Sequence, residues 1–220
     1  MNQFQAREDI LPPPQRRLWK ELSGSIPKSF VLYGGTAISV RLAHRPSLDF
    51  DFFCTDSFQP GDLLRTLPWR LEAEPIQSSP NTLTLLLERG GPVKLSFFGG
   101  LSFGRVAEPE EASDTCLLCA SLLDLAATKL KVVHDRAESK DYIDIAALLR
   151  AGLKLPEMLG AARALYGEVF NPMITLKALT YFEDGDLQSL PHRTKELLTE
   201  VSTDVHEVIE VKRISDRLAD

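Results

Sequence analysis

Two aspartates one residue apart are the residues of this chain best placed for chemistry, Asp49 and Asp51 in Asp49-Phe50-Asp51-Phe52-Phe53. Successive side chains of a β-strand alternate between its faces, so both carboxylates project from one face with Cα atoms about 6.6–6.8 Å apart. Neighbouring carboxylates repel each other and are costly to desolvate, and a divalent cation removes both penalties. Magnesium binds one or two carboxylates together with substrate phosphates. The spacing therefore predicts a Mg²⁺ site.

A glycine pair precedes these acids, because the apolar segment Phe30–Tyr33 runs into Gly34-Gly35-Thr36. A phosphate group approaches a backbone most closely where no Cβ stands in the way. The residues after the glycines read as a helix, whose first N–H groups and partial positive charge would face the phosphates of a nucleoside triphosphate. Thr36 either caps that helix or bonds to a phosphate oxygen.

Each of these signals has a purely structural alternative. A glycine pair before a helix is common in turns, and an Asp-x-Asp at the end of a strand is often a turn or an exposed edge. The conjunction of strand, glycine pair, helix and a second strand with two acids is much rarer, and it favours a nucleotide site.

A second set of candidate residues lies on two later helices. Lys129 has only apolar neighbours one helical turn away, whereas Lys131 has mostly polar ones. A lysine on an apolar stripe either extends along its stem to solvent or meets an anion. Asp144 precedes an apolar run and needs a partner, for which Lys129 or Arg136 is the natural candidate, while Asp141 has a simple explanation in the helix dipole. A purely structural salt bridge between the helices remains open.

The elements that must position these residues fall into an α/β front half and a helical back half. Periodicity and turn residues predict helices near 15–22, 36–44 and 60–67, strands at 30–33 and 48–53, and a possible strand at 71–77. Arg89-Gly90-Gly91-Pro92 separates two apolar strands, 82–88 and 93–98, as in a hairpin. After an acidic stretch at 104–114, helices are predicted at 117–135, 139–151, 155–168, 172–182 and 191–216. The predicted domains are 1–114, an α/β domain, and 115–220, a helical domain.

Composition and charge limit the possible partners. The chain of 220 residues carries a net charge of −6, so its overall field does not attract nucleic acid. An RNA contact would require a local basic surface. The candidate residues for such a surface are Arg41, Arg45, Lys94, Lys131 and Arg136.

Targeting and cysteine signals indicate a cytoplasmic protein. No apolar run approaches the roughly 18 residues of a membrane span, and the N-terminal residues lack the pattern of a secretory signal. Three cysteines, an odd number, argue against a disulfide framework. Cys116 and Cys119 form a C-x-x-C without the second ligand pair that a zinc site needs, so we expect them, and Cys54, to pack as small apolar residues.

Together, several motifs resemble the AbiEii/AbiGii-type nucleotidyltransferase family, part of the DNA polymerase β-like nucleotidyltransferase superfamily. The resemblance covers roughly residues 30–150, and the segment at 176–182 also looks similar. The segments that carry it are Gly34-Gly35-Thr36, Arg45-Pro46-Ser47-Leu48-Asp49-Phe50-Asp51, Lys129, and Arg136 with Lys140-Asp141-Tyr142-Ile143-Asp144.

This resemblance implies an α+β fold with a mixed-sheet nucleotidyltransferase core followed by a C-terminal helical bundle. It implies a Mg²⁺-dependent enzyme that moves a nucleoside monophosphate from a nucleoside triphosphate (NTP) to an acceptor, such as tRNA or another RNA. The family includes toxins of toxin–antitoxin and phage-defence systems, so an antitoxin protein is an expected partner. A small-molecule acceptor is an alternative.

The resemblance also assigns roles to individual residues. Asp49 and Asp51 would bind the metal, and Lys129 would contact phosphate, with Asp144 supporting catalysis. The residues expected to hold the nucleotide are Gly34, Gly35, Thr36, Arg45, Ser47 and Lys129.

One position departs from the superfamily pattern, which places a third acid on a later strand. The matching stretch is Val93-Lys94-Leu95-Ser96-Phe97, with Ser96 at the expected position. A serine supplies no charge to a metal and takes no proton at neutral pH. Either Asp144 takes over that role, or activity is low, or the protein is a catalytically silent module that binds a nucleotide or a partner.

Overall fold

A computed structural model describes residues 2–219 of the chain. The residues form two compact units, which are considered separately. The first contains the described residues up to Ser121 and those from Ser215 onward, and the second runs from Leu122 to Ile214.

The first unit is built on a mixed sheet of eight strands among the described residues. The order across the sheet is β1-β7-β8-β2-β3-β6-β5-β4. Near its centre, β3 pairs antiparallel with β2 and parallel with β6. The strands are β1 (Gln3–Phe4), β2 (Val31–Tyr33), β3 (Asp49–Phe53), β4 (Glu74–Ser79), β5 (Thr82–Glu88), β6 (Pro92–Phe98), β7 (Glu110–Ala112) and β8 (Leu118–Cys119).

In the described part of this unit, a 3₁₀ turn at Glu8–Ile10 and three α-helices accompany the sheet: α1 (Pro13–Glu21), α2 (Gly34–Leu42) and α3 (Pro60–Thr66). Prolines open α1, where their fixed φ and missing N–H cost nothing. Trp19 of α1 stacks on Phe50 of β3 at a ring-centroid distance of 6.3 Å, and both side chains are fully buried. This aromatic layer packs on one face of β3, and the other face carries Asp49, Asp51 and Phe53.

The second unit is helical. It contains α4 (Leu122–Asp135), α5 (Ser139–Arg150), α6 (Leu155–Tyr166), α7 (Pro172–Ala178) and α8 (His192–Thr203), with short 3₁₀ turns at Gly167–Val169 and Leu187–Ser189. Helix α4 is the centre of this bundle and packs against α5, α6 and α7. None of the helices in the described residues is both long enough and apolar enough to span a membrane.

The predicted fold class is confirmed: a mixed sheet comes first and a helical bundle follows. The predicted hairpin is present as β5 and β6, and all the residue pairs from Thr82↔Phe98 to Glu88↔Pro92 form.

Three predicted helices extend too far, and the one predicted at 172–182 ends at Ala178. Residues 117–121 are not helical, because Leu118–Cys119 pairs with both β2 and β7. The last helix ends at Thr203, and the chain then continues without regular structure, where Ile209 donates its N–H to the carbonyl of Pro156.

The domain limits 1–114 and 115–220 stay a prediction. The contacts divide the chain after Ser121, since β8 belongs to the sheet. Ser215 also belongs to the first unit, where its carbonyl accepts the N–H of Arg105 at 2.9 Å.

The cysteines differ in reactivity. Cys54 and Cys119 are buried, as expected, and burial raises the pKa of Cys54 to about 11 and that of Cys119 to about 12. The expectation for Cys116 is wrong, because this residue is exposed in a left-handed conformation with φ of 57°. A hydrogen bond to Glu111 raises the pKa of its thiol.

We therefore expect iodoacetamide at pH 8 to modify Cys116 alone in the folded protein. Raised pKa values keep Cys54 and Cys119 protonated at this pH, and burial blocks access to them. Mass spectrometry should find one adduct in buffer and three in concentrated urea. Rapid modification of a second cysteine in buffer would contradict the structure.

Candidate active site

The two aspartates of β3 lie on one face of the sheet, as the alternation predicts. Phe50 and Phe52 are fully buried on the opposite face, while Asp49 and Asp51 are partly exposed. The side chain of Asp49 retains 46% of its accessible surface. A solute can therefore reach the face that carries the two carboxylates.

The backbone of Gly34 lies directly against Asp51. Tyr33, the last residue of β2, pairs with Asp51, so the following glycine begins α2 beside that carboxylate. Gly34 has φ of +73°, and a Cβ built on it would lie 2.8 Å from Oδ2 of Asp51. Both the conformation and the space thus require glycine here.

Gly35 lies against the segment that leads into β3. A Cβ at this position would lie 2.7 Å from Nη2 of Arg45 and 3.1 Å from Oγ of Ser47. Arg45 also donates to the carbonyl of Pro46 at 3.0 Å. The structure thus brings Arg45 and Ser47 next to the Gly34-Gly35 pair, and the resemblance assigned all four residues to nucleotide binding.

Thr36 is the third residue of α2 and not its cap, because the helix begins at Gly34. Its side chain is fully buried. The hydroxyl lies 2.8 Å from Oγ of Ser47 and donates to the backbone carbonyl of Asp49. In this arrangement Thr36 ties the glycine segment to β3.

Strand β6 supplies two more side chains to the same face. Parallel pairing in register aligns Asp49 with Lys94 and Asp51 with Ser96. The Nζ atom of Lys94 lies 3.1 Å from Oδ2 of Asp49. Ser96 is buried, and its hydroxyl lies 3.5 Å from that of Thr84 on β5.

Sequence reasoning found Ser96 but missed Lys94 as the partner of Asp49. The signal was present, since Lys94 stands two residues before Ser96 and so shares its strand face.

In the second unit, Lys129 is the centre of a buried ionic cluster. Its Nζ lies 2.7 Å from Oδ1 of Asp141 and 2.7 Å from Oδ2 of Asp144, and both carboxylates are fully buried. Arg136 donates to the other oxygen of Asp141 at 3.0 Å. The predicted pairing of Lys129 with Asp144 is confirmed. The helix-dipole explanation of Asp141 is insufficient, because that carboxylate bridges two cations.

The expected basic surface is largely engaged in ion pairs. The prediction that Arg41 belongs to this surface is wrong, because its side chain is only 5% exposed and pairs with Glu110. Lys131 donates to Asp135 at 2.7 Å, and this hydrogen bond lowers the pKa of the aspartate. Lys94 and Arg136 likewise contact carboxylates, as described above.

A mixed sheet that presents two carboxylates beside a glycine-led helix has the features of a nucleotidyltransferase core. The sequence profile described as "Nucleotidyl transferase AbiEii toxin, Type IV TA system" matches residues 17–208. The chain therefore belongs to the AbiEii nucleotidyltransferase toxin family, and the resemblance noted from the motifs is confirmed.

Two individual proteins show the extent of the similarity. An uncharacterized protein of Aquifex aeolicus (strain VF5) is 33% identical over 177 residues, which is 76% of this chain and 81% of that protein. The solved structure of MenT4, a nucleotidyltransferase toxin from Mycobacterium tuberculosis H37Rv, superposes with a TM-score of 0.60 at 13% identity. That match covers 87% of this chain and 82% of MenT4, and it supports the fold.

Replacing Gly34 by alanine should destabilise the protein more than the same change at Gly24. Both residues have positive φ, +73° and +67°, so each alanine incurs a strain of about 1–2 kcal/mol. Only at Gly34 does the new Cβ meet another group, Oδ2 of Asp51, which adds about 1–3 kcal/mol. Urea unfolding measures both losses, and equal losses would contradict the close approach.

Replacing Lys129 by methionine should cost about 3–5 kcal/mol of unfolding free energy, because two buried carboxylates lose their shared cation. Lys131→Met is the matched control on the same helix. Its partner Asp135 is 54% exposed, so the loss should be about 1 kcal/mol or less. Unfolding in urea followed by circular dichroism compares the two, and a Lys129 variant as stable as the control would disprove the buried cluster.

Proposed function

We propose that this protein is a Mg²⁺-dependent nucleotidyltransferase that moves a nucleoside monophosphate from an NTP to a hydroxyl group of an RNA such as tRNA. It would act in the cytoplasm as the toxin of a toxin–antitoxin or phage-defence system and be neutralised by an antitoxin protein. One observation carries the proposal: Asp49 and Asp51 share an accessible face with the bare backbone of Gly34.

The residues present fit a magnesium ion. Asp49 and Asp51 offer hard carboxylate oxygens from one strand face, the ligands that Mg²⁺ prefers. Among residues 2–219, no group of three or more His, Cys, Asp or Glu side chains is arranged to hold a metal. Water and the triphosphate would therefore have to complete the coordination, as is usual for Mg²⁺. The bound ion would neutralise charge on the reacting phosphates.

The glycine segment fits the phosphates. Gly34 has no Cβ, so the carboxylate of Asp51 lies close against the backbone where the first N–H groups of α2 begin. We propose that Gly34, Gly35 and Arg45 contact the triphosphate. Thr36 and Ser47 would act through their mutual hydrogen bond, which holds the segment on β3.

In the proposed reaction, an acceptor hydroxyl oxygen forms a bond to the α-phosphorus. The bond from that phosphorus to the bridging oxygen breaks, pyrophosphate leaves with the electron pair, and the hydroxyl proton passes to water. Ser96 is buried and takes no proton. We propose that Lys129 binds phosphate and that Asp144 supports catalysis by orienting the Lys129 ammonium, to which it lies within 2.7 Å.

Support for an RNA acceptor comes from the family and not from surface charge. Lys94, Lys131 and Arg136 each form an ion pair with a carboxylate, so little unpaired basic charge remains among these candidates. The toxin role and the antitoxin partner have the same support, the AbiEii family to which the chain belongs.

The test is transfer of label to RNA. The protein is incubated with Mg²⁺, total bacterial RNA and each α-³²P-labelled NTP in turn. We expect a labelled tRNA-sized band for the wild type and a loss of about 100-fold or more for Asp49→Ala/Asp51→Ala. Asp9→Ala/Asp62→Ala, which removes two exposed aspartates of the same unit, should retain the wild-type level.

Other outcomes would overturn the proposal in distinct ways. NTP binding without transfer to any acceptor would identify a silent binding module. Label on a small molecule but not on RNA would identify a small-molecule nucleotidyltransferase. If the Asp49→Ala/Asp51→Ala variant transferred as much label as the wild type, the two aspartates would not be required for the reaction.

A further inference from the structure

The face formed by β3 and β6 carries less negative charge than a site for two divalent cations needs. Two such ions lie about 3.5–4 Å apart and repel each other, so they need several anionic ligands. These two strands offer Asp49 and Asp51 but also the ammonium of Lys94, which together carry one net negative charge.

Lys94 places a positive charge beside one of the two carboxylates. Its register partner is Asp49, and its Nζ lies 3.1 Å from Oδ2 of that residue. The two side chains are exposed to similar extents, 41% and 46%, so the pair lies at the accessible surface of the site.

The position at which a third carboxylate could balance the charge of a second ion is occupied by a buried serine, Ser96. Ser96 aligns with Asp51, but it carries no charge and only 3% of its surface is exposed. Its hydroxyl lies against Thr84 of the neighbouring strand. No carboxylate of β6 is therefore available on this face to balance further positive charge.

We propose that the Lys94 ammonium takes the place of the second divalent cation, so that the site binds one divalent ion, delivered with the nucleotide. This inference rests on the proposed function. Lys94 is a positioning residue that acts through Asp49. Without nucleotide, its ammonium competes with a metal ion for that carboxylate, and metal binding is weak. With nucleotide, the triphosphate supplies the missing negative charge and brings its own ion.

The experiment counts bound Mn²⁺ by electron paramagnetic resonance, with the α,β-methylene analogues of the four NTPs as non-reacting probes. The wild type should bind one Mn²⁺ per chain with at least one analogue. Without nucleotide, Lys94→Ala should bind Mn²⁺ roughly tenfold more tightly than the wild type, since the competing charge is gone. Lys94→Ala/Ser96→Asp, which restores a third carboxylate, should bind two ions with the analogue.

Lys20→Ala is the matched control, because Lys20 is an exposed lysine of the same unit that pairs with Glu8 at 3.6 Å. It should bind Mn²⁺ as the wild type does. Two ions in the wild type, or a Lys94→Ala affinity equal to that of Lys20→Ala, would overturn the inference alone. The single variant decides the question even if Ser96→Asp fails to fold. Absence of bound Mn²⁺ in every variant would instead overturn the proposed function, and this inference with it.

Discussion

The pairing of β3 between β2 and β6 is the constraint on which the site depends. This register buries Phe50 against Trp19 and Phe52 against Phe97, and it thereby turns Asp49 and Asp51 to the accessible face. A slip of one residue would exchange the faces and bury both carboxylates. The same register ends β2 opposite Asp51, so the glycine segment begins beside the acid. Core packing and site geometry are thus consequences of one strand alignment.

Charge is handled differently in the two units. On the sheet, Asp49 and Lys94 are both partly exposed, so water screens them and the pair can exchange partners. In the bundle, the carboxylates of Asp141 and Asp144 are fully buried around Lys129, where an unpaired charge is costly. The first arrangement suits a site that binds ions, and the second suits one that keeps a lysine in a fixed orientation.

The serine at position 96 reduces the negative charge on the face of the sheet that carries Asp49 and Asp51. With Ser96 buried against Thr84, the accessible face carries two carboxylates and one ammonium from β3 and β6. In the proposed site, the phosphates of a bound nucleotide would contribute to the electrostatic balance on that face. The nucleotide would accordingly be part of the metal site and not only its neighbour.

The sequence by itself determined the features that depend on residues close together in the chain. The two-residue period put Asp49 and Asp51 on one face, the glycines at 90–91 marked the β5–β6 hairpin, and helical spacing put Lys129 on a buried stripe. Only the tertiary structure decided the contacts between distant segments: Lys94 on Asp49, Arg41 buried against Glu110, and the short strands β7 and β8 in the sheet. Strands of two or three residues carry almost no periodicity, and an ion pair across 45 or 69 positions leaves no local pattern, because pairing of the strands creates it.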